Sequence, residues 1–227
     1  MVAARSGPAG FEPGESRPAG GGSVPPGLVA VVRAASAGEC LTVVRGLRTA
    51  GIGVVEVTFT VPGAPEVIAE LTAAPSPLVV GAGTVLDVAQ CVAAIEAGAS
   101  FVVSPVTDRD VLEEAHSGGV AYVGGALSPT EVVAAMRLGA DAVKIFPIGA
   151  VGGPSYLRAL LEPLPSLRAV ASGGIRPEEA SAYREAGAHA WCMGGTLIDR
   201  RAALAGDEGA VAEHARGVLS AIGAGIA

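Results

Sequence analysis

The strongest constraint on this chain is an alternation. From Leu28 onward, short β-branched runs take turns with Ala-rich segments whose apolar residues recur at helical spacing, the pattern of βα units that set parallel strands side by side beneath a layer of helices. The runs at residues 28–32, 54–59, 78–83, 101–105, 121–126, 142–147, 167–174 and 191–196 read as strands. Helical signals lie between them at 39–50, 64–71, 88–97, 108–117, 129–138, 154–161 and 177–186, with Pro129 and Pro177 at the first helical position. A last helix over 208–222 carries an apolar stripe of Val211, Ala215, Val218, Leu219 and Ile222. A repeat supports this parsing. Ala50-Gly51-Ile52, Ala97-Gly98-Ala99, Leu138-Gly139-Ala140 and Ala186-Gly187-Ala188 fall 47, 41 and 48 residues apart, each where a helix ends and a left-handed Gly suits its C-terminus. Eight parallel strands predict a single-domain (β/α)₈ TIM barrel over residues 28–227, an open doubly wound sheet being the alternative.

Residues 1–27 are rich in Gly, Pro and Ser and nearly devoid of large apolar groups, so a disordered tail is expected there. They lack the apolar core of a signal peptide. The net charge of −7 argues against nucleic acid or an anionic membrane as partner. Mean hydropathy is high, at +0.51, yet the longest charge-free stretch of the body, residues 71–86, is broken by Pro75 and Pro77 and too short to span a bilayer. Three cysteines without CxxC spacing, Cys40, Cys91 and Cys192, each in an apolar segment, point to free buried thiols and a reducing, cytoplasmic location.

The chemistry of a barrel gathers at the C-terminal ends of its strands. Of fifteen basic residues fourteen are Arg, and the single lysine is Lys144, inside the apolar run Ala142-Val143-Lys144-Ile145-Phe146-Pro147. An unpaired ammonium buried there costs several kcal/mol, which favours the free amine that attacks carbonyl carbon to form a Schiff base. A guanidinium stays protonated and cannot do this. The competing reading is a structural lysine that snorkels from the mouth or pairs with an acid. Glu56, in the equally apolar Val54-Val55-Glu56-Val57-Thr58, lies on strand two, and alternate strands of a barrel share interior layers. It is therefore expected to face Lys144 on strand six, either as a proton shuttle or as a plain buried ion-pair partner. Ser172-Gly173-Gly174 and Gly194-Gly195-Thr196 follow strands seven and eight, where barrels build phosphate sites from backbone N–H groups. Gly81-Ala82-Gly83-Thr84 imitates a dinucleotide fingerprint but has Leu86 in place of the third Gly, and no Walker lysine follows any Gly-rich loop. His116, His189 and His214 are scattered, so neither a metal nor another cofactor is expected.

In their order, Glu56-Val57-Thr58, Gly81-Ala82-Gly83-Thr84-Val85-Leu86, Ser104-Pro105, Lys144-Ile145-Phe146-Pro147, Ser172-Gly173-Gly174 and Gly194-Gly195 resemble the class I 2-keto-3-deoxy-6-phosphogluconate / 4-hydroxy-2-oxoglutarate aldolases, the 6-phosphogalactonate type included, over about residues 28–204. The resemblance implies a barrel, usually a homotrimer, that cleaves a keto acid phosphate to pyruvate and glyceraldehyde 3-phosphate without metal. It casts Lys144 as the Schiff-base lysine, Glu56 as the general acid/base, and Thr84 and Pro105 as substrate contacts. Ser172, Gly173, Gly174, Gly194, Gly195 and Thr196 become the phosphate site. Two positions depart from the pattern. Thr60 stands where gluconate-type members have an arginine for the substrate carboxylate, a role that Arg33, at the end of strand one, is chemically suited to take, as in the galactonate type. Thr196 stands where Ser or Asp is more usual. Alternatives are an aldolase or oxaloacetate decarboxylase without a phosphate requirement, a non-catalytic phosphosugar-binding barrel, and a barrel isomerase or epimerase.

Overall fold

The computed structural model describes residues 23–73 and 76–223. Eight parallel strands, β1 (Gly27–Val32), β2 (Val54–Thr58), β3 (Val79–Gly83), β4 (Phe101–Val103), β5 (Ala121–Ala126), β6 (Ala142–Ile145), β7 (Ala169–Ser172) and β8 (Ala190–Met193), pair in chain order. β8 returns to β1, with Gly27 opposite Ala190, and the sheet closes into the expected (β/α)₈ barrel. Helices α1 (Ala37–Thr49), α2 (Ala64–Thr72), α3 (Val88–Glu96), α4 (Arg109–Ser117), α5 (Pro129–Leu138), α6 (Pro154–Leu161) and α7 (Ala180–Glu185) alternate with the strands. α8 (Arg200–Leu204) and α9 (Glu208–Ala221) follow β8.

Local chemistry sets these boundaries. Ser36, Asp87, Asp108, Ser128, Asp199 and Asp207 accept a backbone N–H at the starts of α1, α3, α4, α5, α8 and α9, satisfying donors that the helix itself leaves free. Gly51, Gly98, Gly139 and Gly187 have φ of +94°, +86°, +94° and +95°, the left-handed turn expected from the repeat. The last helix packs on the first. A Cβ on Gly46 would lie 2.6 Å from Val211 Cγ1, so the absence of a side chain there lets α9 approach α1.

Several expected boundaries shift. β4, β6, β7 and β8 stop before Pro105, Pro147, Gly174 and Thr196, because proline donates nothing to a ladder and the Gly pair after β7 turns left-handed, at φ +89° and +79°. The seventh helical segment opens as a 3₁₀ turn, Pro177–Glu179, before α7 begins. Of the expected tail, residues 1–22 lie outside the described residues. Gly27, placed in it, instead opens β1, and Val24 is buried in the barrel's inner cluster with its carbonyl accepting from His189 Nε2 at 2.9 Å.

The barrel separates two apolar regions. Between strands and helices runs the larger core, with Val44, Leu47, Ile68, Tyr122, Ile145, Leu157 and Tyr183 among its buried members. Inside the barrel, Val29, Val31, Phe101, Ala121, Ala142, Val170 and Ala190 fill the lower layers. A Cβ on Gly81 would sit 2.3 Å from Phe101 Cζ, so the Phe101 ring occupies the space of that missing side chain. Glu56, Thr58, Ser104, Lys144 and Ser172, the buried polar residues among those described, belong to the upper half or the strand ends.

Candidate active site

Lys144 and Glu56 are the third residues of β6 and β2. With a side-chain period of two, both point inward from opposite walls. Lys144 Nζ donates to Glu56 Oε1 across 3.4 Å, and the residues are 4% and 0% exposed. The contact is long for a hydrogen bond between charged groups. Glu56 Oε2 is buried with no hydrogen-bond partner among the described residues. Lys144 Nζ also stands 5.8 Å from the centre of the Phe146 ring, within cation–π range.

Glycines make the room for this pair. A Cβ on Gly83 would fall 2.0 Å from Glu56 Oε1, so the carboxylate occupies the space that any other residue at the end of β3 would fill. Thr84 follows at once with φ +58°, the one non-glycine in the left-handed region among the described residues, a conformation that costs about 1–2 kcal/mol. Gly125 is the register partner of Lys144, and a Cβ on it would lie 2.1 Å from the Pro105 carbonyl. The loop after β4 therefore crosses directly over β5, bringing Pro105 to the mouth beside Phe146 in a cleft of about 340 Å³.

On the next sector Ser172, at the end of β7, is buried opposite Cys192, its register partner on β8. Burial above all, reinforced by the Glu56 charge, pushes the Cys192 thiol up to about 12; Lys144, Ser172 and Arg33 pull it the other way. Cys192 is thus a neutral wall of the barrel. The Gly173 carbonyl accepts from Gly149 N–H at 3.0 Å, tying the loop after β7 to the turn after β6. Gly194 and Gly195 follow β8, and the Thr196 carbonyl meets His214 Nε2 at 3.1 Å, which anchors that loop to α9. Thr58 gives its hydroxyl proton to the Val32 carbonyl at 3.1 Å and so accepts from Thr60 at 2.7 Å, which turns Thr60 back toward the β1–β2 seam. Arg33 is exposed at the end of β1. Its Nη1 is 4.0 Å from where a Cβ on Gly194 would stand, and with Gly195 it lines a second cleft, of about 430 Å³.

The structure thus joins Lys144 to Glu56, sets Thr84 next in the chain to the glycine whose space Glu56 fills, lays Pro105 over Gly125, the register partner of Lys144, and places Arg33 beside Gly194 and Gly195. Gly83 enters the sequence only as a letter of Gly81-Ala82-Gly83-Thr84, and the steric duty of Gly83 and Gly125 is invisible without the neighbouring strand and loop. Arg200, in the cleft of Arg33, carries no signal in the sequence because α8 is too short to show a periodic pattern. Among the described residues no group of three or more His, Cys, Asp or Glu is placed to hold a metal ion, and no helix is long and apolar enough to cross a membrane.

Comparison with known proteins agrees with this geometry. The family model of KDPG and KHG aldolases matches residues 26–213. A 2-dehydro-3-deoxy-phosphogluconate aldolase of Treponema pallidum is 33% identical over 86% of this chain and 93% of its own length. A 2-dehydro-3-deoxy-6-phosphogalactonate aldolase of Escherichia coli is 35% identical over 75% of this chain and 82% of its own. A solved structure of native KDPGal superposes with a TM-score of 0.71 at 30% identity, covering 85% of this chain and 96% of that one. A barrel with one inward lysine against one inward glutamate, matched along nearly its whole length, belongs to the KDPG and KHG aldolase family.

Proposed function

We propose that this chain cleaves a 2-keto-3-deoxy-6-phospho sugar acid to pyruvate and glyceraldehyde 3-phosphate through an imine on Lys144. The observation that carries the reading is the chain's single lysine, buried and held by one long contact to a glutamate whose second oxygen has no hydrogen-bond partner among the described residues. The Lys144 amine adds to the C2 carbonyl, and Glu56 protonates the resulting hydroxyl so that it leaves as water and a protonated imine remains. Glu56, now a carboxylate, takes the proton of the C4 hydroxyl. The C3–C4 electrons flow into the imine, releasing the aldehyde and an enamine. Return of that proton to C3 and hydrolysis of the imine liberate pyruvate and regenerate the amine.

Thr84 and Pro105 flank the pyruvate moiety. Arg33 is the countercharge for the carboxylate in the absence of an arginine at position 60, a role supported by its place at the end of β1 beside Gly194 and in the cleft there. Ser172, Gly173, Gly174, Gly194, Gly195 and Thr196 cradle the distal phosphate, the left-handed glycines allowing close approach to their backbone N–H groups. The reaction needs no cofactor. Incubation with pyruvate and borohydride should leave one covalent adduct on Lys144; folded protein with no adduct would refute the reading.

A second reading, cleavage of 4-hydroxy-2-oxoglutarate, is favoured by the family itself, which joins both aldolases. Rates on phosphorylated and unphosphorylated substrates separate the two, and rates on the two C4 epimers separate the gluconate from the galactonate series. The resemblance also supports a homotrimer, which light scattering would check. The buried, free thiols Cys40, Cys91 and Cys192 fit a reducing cytoplasm.

A further inference from the structure

The cleft between the ends of β1 and β8 holds a second cation besides Arg33. Arg33, Glu39, Gly195, Ile198 and Arg200 line its volume of about 430 Å³. Arg33 and Arg200 are exposed and have no ion pair or side-chain hydrogen bond among the described residues. The acids nearby in sequence are already engaged. Glu39 Oε2 accepts the Ala35 N–H at 2.8 Å, and the Asp199 carboxylate accepts the N–H groups of Arg201 and Ala202 at 2.9 and 3.1 Å. The Asp199 cap also fixes where Arg200 leaves the chain, as the first residue of α8. The His214 contact to the Thr196 carbonyl holds the preceding turn to α9. Two guanidiniums against the single carboxylate of the lining, Glu39, make this cleft a place for an anion.

We infer that Arg200 is a specificity-determining residue that binds the distal phosphate of the substrate, leaving Arg33 for the keto-acid end. This rests on the aldolase reading given above. Backbone N–H groups at the ends of β7 and β8 carry no net charge, and a phosphate dianion gains most from a guanidinium that meets two of its oxygens at once. Arg33 and Arg200 are the cations lining the cleft, and a substrate charged at both ends needs one for each end. Arg200 therefore selects for a phosphorylated substrate, whereas loss of Arg33 weakens every 2-keto acid alike.

The test compares kcat/KM of the parent, Arg200→Ala, Arg200→Gln and Arg200→Lys on a phosphorylated 2-keto-3-deoxy acid and on its unphosphorylated counterpart. Trapping of pyruvate with borohydride serves as the phosphate-free reference. The ratio of the two kcat/KM values should fall roughly 10- to 100-fold in the Ala and Gln variants, mostly through KM. Arg200→Lys should recover part of it, and protection by inorganic phosphate should weaken in step. An unchanged ratio, with equal losses on both substrates or none, overturns the assignment while pyruvate trapping by the parent upholds the aldolase. A folded parent that traps no pyruvate overturns both.

Discussion

The lower and upper layers of the barrel interior use glycine for opposite ends. Below, the space at Gly81 is taken by the ring of Phe101, within an apolar cluster that includes Val29, Ala121 and Val170. Above, the space at Gly83 is taken by the carboxylate of Glu56, which meets Lys144 and keeps one oxygen without a partner among the described residues. The two glycines are two residues apart on one strand and face the same interior. One missing side chain lets a hydrocarbon pack to crystal-like density; the other makes room for a charge in a place where charge is costly. The contrast locates function where the interior is least favourable to stability.

The sharpest way to break this comparison is to remove the charge that the upper layer is built around. Lys144→Arg keeps a cation but no nucleophile, so pyruvate–borohydride labelling should vanish and turnover should fall by roughly 10⁴-fold or more. Glu56→Gln keeps the shape and loses the proton carrier. It should lower kcat by roughly 10²- to 10⁴-fold, measured by pyruvate release, with a cooperative unfolding transition retained. The glycine pair then sharpens the contrast. Gly83→Ala pushes on Glu56 Oε1 and should cost roughly 10²-fold in activity, since displacing a reacting group by about an ångström has that effect. Gly81→Ala pushes on Phe101 and should cost about 1–3 kcal/mol in denaturant unfolding while the folded fraction keeps its activity.

The smallest effect concerns the thiols. Burial raises Cys40 and Cys192 to about 12 and Cys91 to about 11 from an ordinary 9.0. The folded chain then holds protons that the unfolded chain releases, so this contribution to stability is complete below pH 9.0 and is lost as pH rises through 11 to 12. Unfolding midpoints measured from pH 8 to 11 should decline, and native protein should react slowly with thiol reagents.

Much of this was readable in the chain because its signals are periodic. The strands begin within a residue or two of expectation, and four of them, β2, β4, β6 and β8, follow closely on the left-handed Gly of the repeat. The meeting of Glu56 and Lys144 followed from parity alone: both are inward residues on even strands. What escaped prediction is nonlocal or too short to repeat. The five residues of α8 show no period, and Arg200 was missed with them. The left-handed Thr84 is a conformation that its residue type disfavours. The burial of Val24 depends on the His189 contact from the far end of the sequence, so composition alone placed it in a tail.

Closure of the ring also bears on how this protein is made. β1 has β8 as one of its two neighbours, and α1 receives α9 at Gly46. The first strand therefore leaves the ribosome with one edge open, and its partner at Ala190 follows only after some 160 further residues, roughly ten to thirty seconds later at ordinary rates of synthesis. During that interval the nascent chain presents an unpaired parallel edge, a template for pairing with other chains. Its yield in a cell should depend on what shields that edge until the last strand arrives.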